Sequence, residues 1–138
     1  VCSIGLCSKY RIILVGKGRY MNYNVKVNKI GMSAMELYEE CGCLIIFDDI
    51  APEELAEIAV LHEEGEIKRD IKVGDEIILG KHGYKVTAVG TEAMLTLKEL
   101  GHCTFKFTGK SEAEVPGQIE LAGENHPVIE IGDYISFK

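Results

Sequence analysis

The sequence predicts a mostly β protein, a small closed or partly open β-barrel of about seven or eight short strands with two or three short helices. Short segments alternate apolar and polar residues with a period of two, as half-buried strands do. Turn residues, with 15 glycines among them, separate these segments at intervals typical of a barrel or sandwich. We find no repeat period of roughly 20–50 residues, which excludes a solenoid.

The first half of the chain alternates strands with short helices. Ser33 and Glu36 have the spacing of a capping box, which predicts a helix start. Pro52 suits the first turn of a second helix. A short apolar strand then leads directly into His62. The predicted strands here are residues 23–30, 43–47 and 59–61, and the predicted helices are residues 34–40 and a segment from Pro52.

The second half contains one helix between strands. Gly90 ends a strand, and Thr91 is placed to cap the helix that follows. Leu97 and Leu100 form an apolar pair on one face, and Gly101 stands where a left-handed residue ends a helix. The predicted strands are residues 76–79, 84–89, 103–107, 118–122 and 132–137.

Composition limits the possible partners. The chain has 138 residues and a net charge of −7, so nucleic-acid binding, which needs a basic face, is not expected. An acidic chain is also repelled by anionic membrane surfaces. We find no apolar run near the ~20 residues of a transmembrane helix.

The five cysteines cannot all pair with one another, because their number is odd. We interpret them as reduced thiols of a cytoplasmic protein. Cys41 and Cys43 lack two further metal ligands at a workable spacing. We therefore predict no metal site and no cofactor.

We expect residues 21–138 to form a single domain and residues 1–20 to be an extension that is not native. Lys17 to Arg19 can be encoded by a purine-rich ribosome-binding sequence, and Met21 follows at a suitable distance, so translation would begin there. In the alternative interpretation, Tyr10 to Val15 is an extra edge strand. Both interpretations stay open.

The four histidines are the best candidates for chemistry, because the common nucleotide-binding, hydrolase and zinc motifs are absent from the sequence. His62 ends a strand and enters a glycine turn, a position that would expose an imidazole at the rim of a barrel. His82 lies in a tight turn, His102 follows a helix end, and His126 precedes a proline. By residue type alone, each is more often structural than catalytic. A metal-dependent hydrolase that uses His62, His82 and His102 remains one alternative.

Separated blocks of the sequence, in the right order, carry a family resemblance that covers roughly residues 25 to 137. These blocks are Ile30–Gly31 with Ser33–Ala34, Leu55–Glu66, Leu79–His82, Tyr84–Gly90, Leu97–His102 with Phe107, and Ser111–Glu114 with Pro116–Gly117. They resemble the glucitol/sorbitol-specific enzyme IIA component of the bacterial sugar phosphotransferase system. Residues 1–20 have no counterpart in that family.

The resemblance implies a phosphotransferase component with a phosphohistidine intermediate. In the family, a histidine accepts a phosphoryl group from the histidine phosphocarrier protein and passes it to the B component of the glucitol/sorbitol permease. The matching segment assigns this role to His62, and many members have a second histidine where this chain has Glu64. The family implies a cytoplasmic protein that meets the membrane only through the permease. A non-catalytic regulatory binding barrel of the same family is the alternative.

Histidine suits this task because a neutral imidazole has one nitrogen with a free lone pair. The family generally uses Nε2, so Nδ1 should donate to a carboxylate or a backbone carbonyl. Glu63 and Glu64 would repel a phosphoryl group, so we predict that one of them points away. The further residues expected near the phosphate are Lys81, His82 and His102, although Lys81 also fits a solvated hairpin residue.

Overall fold

Eight strands and three helices form the part of the chain that the computed structural model describes, residues 22–138. The proposed start at Met21 and the edge strand from Tyr10 to Val15 lie outside the described residues. The elements are β1 (Tyr23–Ile30), α1 (Ala34–Cys41), β2 (Cys43–Asp48), α2 (Glu53–Ala56), β3 (Ala59–His62), β4 (Glu76–Leu79), β5 (His82–Val89), α3 (Ala93–Leu100), β6 (Cys103–Lys106), β7 (Gln118–Ala122) and β8 (Tyr134–Phe137).

The strands close into a barrel in the order β1, β3, β2, β6, β7, β5, β4, β8. Two neighbouring pairs, β2 with β3 and β6 with β7, are parallel, and the other pairs are antiparallel. A parallel pair needs a crossover connection, and α2 lies in the crossover from β2 to β3. The predicted fold class, a mostly β barrel with short helices, is confirmed.

Strand directions give the barrel two distinct ends. β2 and β3 run parallel and finish side by side, where Asp48 pairs with His62. β6 begins near this end, since Cys103 pairs with Ile46 of β2. We call it the His62 end. β1 is antiparallel to β3, so β1 finishes at the opposite end. β4 runs in the same direction as β1, because both are antiparallel to β8, so β4 also finishes at the opposite end.

Alternating side chains of the strands fill the barrel interior. Tyr23 and Phe137 pack with ring centroids 4.8 Å apart near the His62 end. In β3, Val60 belongs to the interior cluster, whereas Leu61 packs with a smaller apolar cluster that α2 covers. The period of two therefore directs His62, two residues after Val60, into the barrel.

Helix α1 begins at Ala34, as the sequence predicts, and helix α3 ends before Gly101, as predicted, but the predicted N-terminal caps are not formed. Gly42 and Gly101 both adopt the left-handed conformation, with φ of 69° and 62°, at the helix C-termini. The Ser33 side chain makes no capping hydrogen bond, so the predicted capping box is wrong. Helix α3 begins at Ala93 rather than directly after Thr91, and the residue at its N-cap position, Glu92, also lacks a side-chain cap.

Candidate functional site

His62 is completely buried, with 0% of its surface exposed. The expectation that its imidazole lies exposed at the barrel rim is therefore wrong. The ring points inward from the last residue of β3, and the turn between α3 and β6 covers it at Gly101. The end of a strand is not the edge of this fold, because the turn after α3, distant in sequence, covers the end of β3.

Two backbone carbonyls hold the His62 ring. Nδ1 lies 2.7 Å from the carbonyl oxygen of Glu63, and Nε2 lies 2.9 Å from that of Gly101. Carbonyl oxygens only accept hydrogen bonds, and a neutral imidazole has a single N–H to donate. Both contacts are satisfied together only by the doubly protonated ring. A ring that acts as a nucleophile must give up one of them.

The carbonyl of Glu63 is the group that orients Nδ1, in agreement with one of the two expected kinds of acceptor. The carboxylate of Glu63 is directed elsewhere, since its Oε1 accepts a hydrogen bond from the backbone N–H of Lys26 at 3.2 Å. Glu64 instead lines a cavity at the His62 end. The prediction that one of these two glutamates points away from the ring is confirmed for Glu63.

Gly101 has two independent reasons to be glycine. Its left-handed backbone, with φ of 62°, is strained for residues that carry a Cβ. A Cβ at this position would also lie 2.7 Å from Cε1 and 3.1 Å from Nε2 of His62. The close approach of backbone to imidazole therefore depends on this residue. The sequence predicts Gly101 as the residue after a helix end, but no local pattern indicates its contact with His62.

Asp48 and Tyr23 complete the buried polar group around the ring. Asp48, 4% exposed, is the partner of His62 across β2 and β3, and its Oδ1 accepts from the N–H of Ile50 at 3.1 Å. The Tyr23 ring stands edge-on to the imidazole, with centroids 6.1 Å apart. Burial, together with the nearby Cys103 and Asp48, raises the pKa of Tyr23, so its hydroxyl stays protonated and available as a donor.

A cavity of about 280 Å³ adjoins this group at the His62 end. Gly101 lines the cavity and also contacts the His62 ring, so it separates the imidazole from that space. Most of the charged side chains around the cavity are acidic, and Lys98 is the only cation among the described residues that line it. The lining residues are Tyr23, Asp48, Glu64, Gly65, Lys98, Glu99 and Gly101.

The expected phosphate-proximal residues are not brought together with His62. Lys81 lies in the turn between β4 and β5 and His82 begins β5, so both are at the opposite end of the barrel. The β4–β5 hairpin therefore lies at the end of the barrel away from His62. Its position depends on strand order and direction, which are set by strand pairing across the whole barrel.

His102 follows Gly101 directly, yet its ring is occupied elsewhere. It packs on Phe47 with centroids 4.7 Å apart, and Nδ1 lies 3.1 Å from the carbonyl oxygen of Ile46. Phe47 belongs to the small apolar cluster outside the barrel interior. His102 is therefore the neighbour of Gly101, which contacts His62, but its own ring lies on the other side of the barrel wall.

The arrangement does not fit the hydrolase alternative, which needs His62, His82 and His102 to converge. Within residues 22–138, histidine, cysteine, aspartate and glutamate side chains form no group of three or more that is placed to hold a metal ion. Cys41, Cys43 and Cys103 are free thiols, of which Cys103 is buried. Among the same residues, no helix has the length and apolar character needed to span a membrane.

Comparison with known proteins identifies the family. Residues 22–136 match the model of the PTS system glucitol/sorbitol-specific IIA component. Two relatives named PTS system glucitol/sorbitol-specific EIIA component, from Escherichia coli (strain K12) and Shigella flexneri, are each 39% identical over 116 residues, which cover 84% of this chain and 94% of the relative. The crystal structure of a PTS system IIA component from Enterococcus faecalis V583 shares the fold, with a TM-score of 0.68 and 23% identity over 81% of this chain and 96% of that chain. The chain therefore belongs to the glucitol/sorbitol-specific IIA components of the sugar phosphotransferase system.

Proposed function

We propose that His62 accepts a phosphoryl group from the histidine phosphocarrier protein and passes it to the B component of a glucitol/sorbitol permease. Membership of the IIA family implies a phosphoryl carrier role and supports this class of reaction. The carrier works in the cytoplasm and meets the membrane only through the permease. It needs no cofactor, since phosphoryl transfer depends mainly on positioning and on charge stabilisation.

The observation that carries the proposal is the way in which the His62 ring is held. The Glu63 carbonyl, 2.7 Å from Nδ1, keeps a proton on that nitrogen and fixes the ring orientation. Nε2 then carries the lone pair once its own proton has left, and it faces Gly101 at the wall of the cavity. Once the Gly101 carbonyl is displaced, this becomes the arrangement of an activated nucleophile with a separate orienting group.

Transfer exchanges one phosphorus–nitrogen bond for another. The Nε2 lone pair of His62 attacks phosphorus in line as the bond from phosphorus to the donor's imidazole nitrogen breaks. The electron pair of the broken bond returns to the donor nitrogen. The proton that occupied Nε2 passes to solvent before the attack, and Nδ1 keeps its proton on the Glu63 carbonyl.

The burial of His62 requires an opening step before transfer. The Gly101 carbonyl stands 2.9 Å from Nε2, directly against the nitrogen that must attack. Loss of the Nε2 proton removes this hydrogen bond and sets two lone pairs against each other, which favours displacement of the turn. Docking of a partner at the His62 end would use the same motion.

The acidic side chains around the cavity suit a carrier that must release its phosphoryl group. Asp48, Glu64 and Glu99 line the cavity, and Lys98 is the one cation that residues 22–138 contribute to its lining. At about 4 Å, like unit charges repel by roughly 1–4 kcal/mol, so the phosphorylated state is held at a raised free energy. Donor groups of the docked partner would offset this repulsion during transfer.

Phosphorylation of purified proteins tests the proposal. The chain is incubated with labelled phosphoenolpyruvate, the first phosphotransferase enzyme and the histidine phosphocarrier protein. We expect an acid-labile label that His62→Gln abolishes. His126→Gln, whose ring is partnered by Tyr38 at the opposite end, is the matched control and should be labelled normally. Full-rate labelling of His62→Gln would refute the site.

A non-catalytic regulatory binding barrel is the second candidate, and the full burial of His62 favours it. Such a protein would use the ring only as a structural link between β3 and the turn at Gly101. It would take no label in the experiment above and would form a stable complex with a partner protein. Absence of label together with retention of a partner from sorbitol-grown cells would support this candidate over the carrier.

A further inference from the structure

The hydroxyl of Tyr23 is an unused donor beside the proposed reaction centre. Tyr23 is 2% exposed, and its hydroxyl makes no hydrogen bond within residues 22–138. Buried polar groups nearly always have a partner, so an orphan of this kind calls for an explanation. Tyr23 lines the cavity at the His62 end, and its ring stands edge-on to the imidazole.

Gly101 connects this cavity to the reactive nitrogen. The residue both lines the cavity and places its carbonyl against Nε2 of His62. Displacement of the Gly101 peptide therefore opens Nε2 toward the space that Tyr23 borders. A group attached to Nε2 would occupy the volume that the carbonyl leaves and extend into the cavity.

Lys98 offers a cation at the same place. Its ammonium group is 2.5 Å from Asp70, in a pair whose side chains are 48% and 66% exposed. Exposed ion pairs contribute little to stability, so the ammonium group can exchange Asp70 for another anion at small cost. Among the described lining residues, Tyr23 is therefore a neutral donor and Lys98 a cation beside the carboxylates of the cavity.

We propose that this cavity receives the phosphoryl group of His62 and that Tyr23 is a further catalytic residue, whose hydroxyl donates a hydrogen bond to a phosphoryl oxygen. The inference rests on the proposed function and adds the group that contacts the reacting oxygens. As the new bond from Nε2 to phosphorus forms and the bond to the donor nitrogen breaks, charge spreads over the equatorial oxygens. A preorganised donor in a buried site stabilises that charge.

Tyr23→Phe tests the proposal because it removes only the hydroxyl. We expect the rate of phosphoryl acceptance to fall roughly 10- to 100-fold, as for a lost hydrogen bond to a charged group. The midpoint of urea unfolding should stay the same or rise, since the hydroxyl has no partner among the described residues in the resting protein. A merely structural hydroxyl would give the reverse result.

Tyr84→Phe is the matched control. Tyr84 is equally buried, but its hydroxyl donates to the carbonyl of Asn125 at 2.8 Å, away from His62. This variant should unfold at lower urea concentration and accept phosphate at the normal rate when folded. Tyr23→Phe phosphorylated within twofold of the wild-type rate would overturn the inference.

The outcomes separate the inference from the function on which it rests. Label on the wild-type chain that His62→Gln abolishes keeps the carrier function, whatever the result for Tyr23→Phe. No label on the wild-type chain overturns both. Should Tyr23→Phe fail to fold, NMR of tyrosine ring carbons in the wild-type protein decides: the Cζ resonance of Tyr23 should move on phosphorylation, and that of Tyr84 should not. An unmoved Tyr23 resonance would overturn the inference.

Discussion

At the scale of single residues, the site shows a conflict between resting structure and chemistry. His62 contacts two acceptors, the carbonyls of Glu63 and Gly101, although a nucleophilic imidazole can donate to only one of them. In the proposed transfer, the contact with Glu63 is compatible with every step, whereas the contact with Gly101 blocks the nitrogen that would attack. The proposal therefore requires that Nε2 be released from the Gly101 carbonyl before transfer.

Glu64 lines the cavity at the His62 end. Glu64→Gln removes one negative charge near the proposed position of the phosphoryl group, so we expect the phosphorylated form to be stabilised by about 1 kcal/mol, or roughly a fivefold shift in the equilibrium with the donor protein. Intact-mass measurement of the phosphorylated fraction checks this. Glu124→Gln, on an exposed loop after β7, is the control. An equal shift in both variants would show that only net charge matters.

At the scale of elements, α1 and α3 have the same C-terminal design with different consequences. Each ends in a left-handed glycine whose N–H returns to the helix, with Gly42 donating to Tyr38 and Gly101 donating to Leu97. A Cβ added at Gly42 would have no atom within 4 Å, whereas a Cβ added at Gly101 would meet the His62 ring. The turn after α3 is therefore both a helix end and the cover of the site.

A pair of alanine substitutions separates these two roles. Gly42→Ala should cost about 1 kcal/mol, the strain of a left-handed alanine alone. Gly101→Ala adds a clash with the imidazole at 2.7 Å, so we expect a loss of about 3 kcal/mol. Urea unfolding of both variants measures the difference. Equal losses would mean that the Gly101 turn does not rest on His62 in solution.

At the scale of the whole molecule, the sequence predicts the elements better than the site. The bounds of β1, β4 and β7 match the predicted residues because clear alternation and nearby turn residues are local signals. The burial of His62 and the distance of His82 from it depend on which strands become neighbours. Pairing of β3 with β2 and closure by the α3–β6 turn join residues far apart in the chain, and no local pattern encodes them.

The two ends of the barrel also differ in what they present to a partner. The His62 end carries Asp48, the cavity and the exposed side chain of Ile50, which follows β2. The opposite end carries the β4–β5 turn, where Gly80 bridges to the exposed Val128. Transient complexes bury less than about 1,200 Å², so only one end can be covered by a docked carrier protein. The proposed function requires this to be the His62 end.

Ile50 and Val128, which are 69% and 53% exposed, test that requirement as a matched pair. Ile50→Ser should slow phosphoryl acceptance about fivefold at low donor concentration, because roughly 1 kcal/mol of apolar burial against the partner is lost. Val128→Ser should leave the rate unchanged. Both side chains are exposed, so the free energy of unfolding should change by less than about 0.5 kcal/mol in either variant. Steady-state kinetics with the phosphorylated donor protein measures the effect, and a slower rate in Val128→Ser but not in Ile50→Ser would place the docking surface at the end away from His62.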